Sequence, residues 1–104
     1  MTLQEQALDI LTRTDLVNKL TPFGEVHIVG NVAFDTTIKP DIDIQIYCNL
    51  HYEEAAVLII QELMGTGFTD IRERRLKKSK KYLILANYQE GETLWTIDIT
   101  LINP

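Results

Sequence analysis

The sequence predicts an α+β fold in which a mixed β-sheet carries helices on one face, with elements in the order α-β-β-α-β-β-β. Three observations carry this reading. Apolar residues recur at helical spacing in two segments, several later segments alternate apolar and polar residues with period two, and 104 residues leave room for one hydrophobic core. The composition, 45% hydrophobic and 24% charged, is that of an ordinary globular chain and excludes disorder and low-complexity repeats. Residues 1–104 therefore read as a single domain.

The first helix starts at Thr2-Leu3-Gln4-Glu5, a capping-box pattern in which the threonine hydroxyl accepts from the Glu5 amide and the glutamate reaches back. Leu3, Ala7, Ile10, Leu11, Val17 and Leu20 continue one buried helical face until Pro22 and Gly24 end it. Glu25–Val29 is a short β-branched strand stopping at Gly30, and a loop or single turn follows through Pro40. From Asp41 to Tyr47 acidic or polar residues alternate with Ile42, Ile44 and Ile46, the mark of a strand with one buried face. A second helix spans Tyr52–Met64, with Asn49 as its cap and enough apolar positions to be deeply buried. Phe68–Leu76 and Tyr82–Tyr88 form strands joined by a basic turn, and Leu94–Leu101 is the last strand.

Charge is unevenly distributed. Net charge is −5, yet Arg72–Lys81 holds seven of the ten bases and one acid. The acidic remainder does not favour general nucleic-acid binding, whereas the concentrated basic loop reads either as an attractor for a phosphate-bearing ligand or as a solvated turn protecting an edge from aggregation. A single cysteine, Cys48, and two separated histidines, His27 and His51, exclude an internal disulfide and a structural zinc, so any metal is held by carboxylates. The longest apolar run, Ala55–Ile60, is too short for a membrane span, and the first ten residues lack a signal-peptide pattern. The expected location is the cytoplasm, with no membrane partner.

Asp41 and Asp43, two residues apart on a strand, leave the same face about 6–7 Å from one another. Asp98 sits in a matching alternation, sharing one face with Thr96 and Thr100 while Trp95, Ile97, Ile99 and Leu101 take the other. If the two strands are neighbours, three acids meet. Such a cluster suits Mg²⁺ or Mn²⁺, which prefer hard oxygen ligands, and two such ions suit phosphoryl transfer. By itself an Asp-x-Asp pair reads as a solvent-facing edge whose acids aid solubility, and it is the surrounding order of residues that points to a metal site.

The surrounding order of residues, a hydrophobic strand ending in Gly30-Asn31, a nine-residue loop, Asp-Ile-Asp-Ile and a later third aspartate, resembles the nucleotidyltransferase superfamily with its polymerase-beta-like fold. The resemblance implies that Asp41 and Asp43 hold Mg²⁺ or Mn²⁺, that Asp98 is the third ligand or the general base, and that Gly30 and Asn31 contact the phosphates of a nucleoside triphosphate. It implies transfer of a nucleotidyl group to a hydroxyl acceptor. Asn31 stands where that superfamily carries serine, and the sequence ends at Pro104, before the further helices or second domain of catalytic members. These departures imply either a minimal enzyme completed by a protein partner or a homodimer, or a relative without turnover that serves as an antitoxin-like or assembly partner. Of the remaining residues, His27 reads as a core-edge histidine, Cys48 and Trp95 as packing residues, and Lys39 as either a phosphate-binding cation or a loop solubiliser.

Overall fold

Period-two alternation in the strands is resolved by a sheet with one dry face and one open face. In the computed structural model, residues 1–76 and 78–103 are described, and Lys77 of the basic segment and Pro104 lie outside the described residues. Helix α1 (Leu3–Thr14) and helix α2 (Leu16–Leu20) lead through a 3₁₀ turn at Thr21–Phe23 into β1 (Gly24–Val29). A single helical turn, α3 (Gly30–Ala33), precedes β2 (Asp41–Cys48), then α4 (Tyr52–Gly65), β3 (Thr69–Leu76), β4 (Lys81–Glu90) and β5 (Thr93–Ile102). The strands form one mixed sheet in the order β1-β2-β5-β4-β3. β2 and β5 pair in parallel, while β1·β2, β4·β5 and β3·β4 are antiparallel.

The capping box at Thr2 is present in both directions, the Glu5 amide donating to Thr2 Oγ1 at 3.1 Å and the Thr2 amide to Glu5 Oε1 at 3.1 Å. Both bonds satisfy amides that the first turn would otherwise leave without partners. The single helix expected as far as Leu20 is instead broken at Asp15, whose φ of 52° is left-handed. Aspartate tolerates this conformation better than most residues, and the Asp15 amide caps α1 by donating to the carbonyls of Leu11 and Thr12. The break shifts the helical phase, so that Leu16 and Leu20 become fully buried and Val17 only partly so.

Helix α4 corrects two expectations. Its N-cap is His51 rather than Asn49. It is also buried on one side only: Ala55, Ala56, Ile59 and Leu63 are enclosed, whereas Val57, Leu58 and Met64 are 55%, 46% and 66% exposed. A helix lying on a sheet buries one stripe, and here the two alanines bring the helix close to β3 and β4 without covering the opposite side.

The core lies between the helices and the dry face of the sheet. Ile42, Ile44 and Ile46 of β2, Ile84 of β4 and Trp95, Ile97, Ile99 and Leu101 of β5 are essentially inaccessible, and they pack with Ala7 and Ile10 of α1 and Ile59 and Leu63 of α4. Among the described residues Thr14 is the buried polar one, its hydroxyl donating to the Ile10 carbonyl at 2.7 Å. A contrast between two aliphatic truncations checks this layering. In urea denaturation Ile99→Ala costs about 2–5 kcal/mol through lost burial and a cavity. Val57→Ala, on the uncovered side of α4, stays within about 0.5 kcal/mol of the parent.

Candidate functional site

The parallel pairing of β2 with β5 aligns Asp41 with Thr96 and Asp43 with Asp98. Register partners in adjacent strands project from the same face about 5 Å apart, so the Asp43 and Asp98 carboxylates stand side by side on the open face. β1 adds Val29 opposite Asp43, and Leu85 of β4 stands opposite Asp98. The isoleucines between the acids point the other way into the core, which fixes the side on which the acids emerge. All three sequence-selected acids therefore share one face.

Their electrostatics are those of a crowded anionic site. Partial burial pushes the Asp43 carboxyl above its ordinary range, and the charges of Asp98 and Asp41 add to this. Asp98 is raised in the same way by burial and by Asp41, with Arg72 pulling against them. The carboxylate of Asp41 accepts a hydrogen bond from the Thr96 hydroxyl. Among the described residues, no three His, Cys, Asp or Glu side chains close into a metal-holding cluster. The donor set itself fits a hard divalent cation: these are all carboxylate oxygens, and Asp43 and Asp98 stand partly desolvated among like charges that Arg72 offsets only in part at Asp98.

Gly30 stands at the junction of β1 and α3 with φ +70°, and a Cβ built there would lie 2.5 Å from Asp43 Oδ2. The glycine thus has a role that sequence reasoning did not find: it makes room for a carboxylate of the same site. Asn31 is exposed at the start of the turn, and its side-chain oxygen accepts from the Thr36 hydroxyl at 3.1 Å while its carbonyl accepts from the Thr36 amide at 2.9 Å. Helix α1 secures the same turn through Gln4, whose Nε2 donates to the Val32 carbonyl at 2.9 Å and whose Oε1 accepts from the Thr37 hydroxyl. A polar residue on the otherwise apolar edge of α1, facing a Gly-initiated turn, is the signal that could have identified Gln4.

The other selected residues divide. His27 is on the open face rather than at the core edge, its Nε2 2.9 Å from Glu25 Oε1 and its ring edge-on to Tyr47. β1 is an edge strand, and the parity that buries Val26 and Ile28 leaves His27 in solvent. Cys48 is buried and Trp95 is fully enclosed with Nε1 3.3 Å from Gln6 Oε1, both as packing residues. Lys39 is exposed in the loop before β2. The basic segment is not one loop beside the acids. Lys78 and Lys80 are in the turn after β3, and Lys81 pairs with Ile102, four residues beyond Asp98 and hence about 13 Å along the strand.

No protein-family model and no curated protein matches this sequence. Solved structures do resemble it. The Cid1 poly(U) polymerase with Mg and 3′-dATP bound superposes with a TM-score of 0.66 at 16% identity, over 95% of this chain and 30% of that one. The noncanonical poly(A) polymerase complex GLD-2–GLD-3 gives 0.67 at 15% identity, over 95% and 34%, and a cytoplasmic RNA terminal U-transferase 0.58 at 19%, over 95% and 29%. The chain thus spans about a third of the length of these structures. Its fold is that of the polymerase-beta-like nucleotidyltransferases, an α+β arrangement with a five-stranded mixed sheet.

Two substitutions test the geometry. Because the Asp43 carboxyl is raised in the folded protein, its ionisation opposes folding; the penalty is absent below the ordinary aspartate range and sets in as pH rises through it. Asp43→Asn therefore raises the melting temperature by a few degrees at neutral pH without divalent cations, and the gain fades on acidification to about pH 3. Equal melting temperatures at neutral pH would contradict the repulsion. Gly30→Ala combines left-handed strain with the contact to Asp43 and lowers stability by about 2 kcal/mol, part of which Asp43→Ala restores.

Proposed function

We propose that the chain is a nucleotidyltransferase catalytic module that moves a nucleotidyl group from a nucleoside triphosphate to a hydroxyl acceptor with Mg²⁺ or Mn²⁺. The observation that carries this reading is the in-register pair Asp43 and Asp98, with Asp41 on the same face and the Gly30 turn seated on the Asp43 carboxylate. Asp41, Asp43 and Asp98 would hold the ions. A bound divalent cation supplies neutralisation of the acids and of the charge that develops on the phosphates.

The chain's own groups account for the remaining roles. The acceptor hydroxyl oxygen bonds to the α-phosphorus, the bond from that phosphorus to the β-phosphate bridging oxygen breaks, and pyrophosphate leaves. The hydroxyl proton passes to Asp98, which stands beside Asp43 at the metal-holding face. Gly30 and Asn31 face the triphosphate, the former by letting the backbone approach and the latter by donating from its side-chain amide. Asparagine keeps the hydrogen-bonding capacity of a serine at this position in a larger side chain.

Pyrophosphate release from each common nucleoside triphosphate, with Mg²⁺ or Mn²⁺ and a panel of hydroxyl-bearing acceptors, tests the proposal. Turnover is expected, with Asp98→Asn lowering it about 10²–10⁴-fold. In calorimetry Mn²⁺ binds weakly alone and more tightly with a non-hydrolysable triphosphate, and Asp43→Asn abolishes that difference. Metal-dependent nucleotide binding with no pyrophosphate release across the panel would overturn the enzymatic reading in favour of a nucleotidyltransferase-fold interaction module.

A further inference from the structure

The arginines of β3 are sorted between the two faces of the sheet. Arg72 pairs with Leu85 and Arg74 with Leu83, and both leucines share the face of Asp98 and Thr100. Arg75 pairs with Tyr82 on the opposite side, where its guanidinium meets Glu53 of α4 at 2.8 Å. Arg75 therefore has a structural partner. A shift in register between Thr69 and Arg72, with Asp70 at φ 48°, restores the parity that puts Arg72 and Arg74 on the open face.

Arg72 lies in one transverse row with Asp43, Asp98 and Leu85. It is held in place by neighbours on β3 and β4: Nε donates to the Asp70 carbonyl at 3.2 Å, Nη2 lies 3.4 Å from Asn87 Oδ1, and the Asp70 carboxylate stands 3.6 Å from Nε. Asn87 Nδ2 in turn donates to Asp70 Oδ2 at 3.2 Å. These bonds engage two of the three guanidinium nitrogens, and its charge is felt at Asp98. Arg74, two residues on, carries no ion pair among the described residues, and beyond it a shallow hollow is lined by Arg74, Arg75, Leu76, Lys78 and Ser79.

The Gly30 turn flanks the acids on the β1 side, and the arginines flank them on the β3 side. We propose that Arg72 and Arg74 form the acceptor side of the site, binding successive phosphates of a single-stranded nucleic acid that runs along β3 toward the hairpin. This rests on the nucleotidyl-transfer reading for the word acceptor, although the binding itself does not. Two residues of a strand advance about 6.7 Å, a spacing comparable to that of neighbouring phosphates in an extended strand, and the fork of arginine suits phosphate oxygens. A polyanion is favoured over a protein segment because Arg72 and Arg74 present two cations at successive positions of one exposed strand face.

The test is fluorescence anisotropy of a labelled, mixed-sequence single-stranded oligoribonucleotide with the whole chain, in chelator and without nucleotide, at low and at physiological salt. Arg72→Gln and Arg74→Gln are each expected to weaken binding roughly 5–10-fold and to reduce the logarithmic salt slope by about 0.7. Arg72→Lys retains the slope with intermediate affinity, which separates charge from support of the strand. Arg75→Gln binds like the parent, and circular dichroism establishes that each variant is folded. Absence of binding by the parent, parental affinity in both open-face variants, or equal weakening by Arg75→Gln would overturn the proposal. Arginine-dependent binding without pyrophosphate release keeps the anion row and removes only the catalytic reading, whereas turnover onto a protein hydroxyl indifferent to Arg72 and Arg74 overturns the row alone.

Discussion

The parallel pairing of β2 with β5 is the constraint on which the rest of this molecule depends. It brings together two strands separated in sequence by α4, β3 and β4, and it sets Asp43 directly beside Asp98. On the reverse of the same strands, Ile42, Ile44 and Ile46 align with Ile97, Ile99 and Leu101 and are sealed from water. A slip of one residue would drive carboxylates into the core and isoleucines into solvent, so burial of the aliphatic face enforces the register of the charged one. Packing energy spent on one side of the sheet thereby sets chemistry on the other.

Holding two partly buried carboxylates together opposes folding, and the surrounding structure is built to sustain it. The Gly30 turn approaches so closely that a methyl group would collide with Asp43, and Gln4 of α1 ties that turn back to the helical layer. Thr96 engages Asp41 through a hydroxyl and leaves the more crowded pair to face each other. Raised carboxyl pKa values here come from desolvation and like charge, which outweigh the pull of Arg72 at Asp98 and which a hard divalent ion relieves.

The likeness to poly(U) and poly(A) polymerase structures at 15–16% identity shows how little of this architecture resides in particular side chains. What is shared is the fold, whose elements can be satisfied by many apolar residues of suitable shape.

The sequence by itself determined the elements and the face each strand would bury, because periodicity is a local property: Asp41-Ile42-Asp43-Ile44 has one parity whatever it pairs with. The capping box at Thr2 and the turn at Gly30-Asn31 were legible for the same reason, being interactions within a few residues. It also carried the α+β class and the resemblance that singled out Asp41, Asp43 and Asp98. Local signals did not reveal the break at Asp15, since the helical phase on either side is set by what Leu16 and Leu20 must reach in the core. They likewise made α4 too apolar to expect an exposed side, because hydrophobicity counts residues but not the width of the sheet beneath them. Only the tertiary structure decided that Asp43 and Asp98 are neighbours, that Gly30 yields space to a carboxylate, and that a basic run divides into Arg72 and Arg74 on the face of the acids, Arg75 on the helical side and lysines at the far turn. Those are outcomes of strand order and register, and the central one, the pairing of Asp43 with Asp98, joins residues more than fifty positions apart.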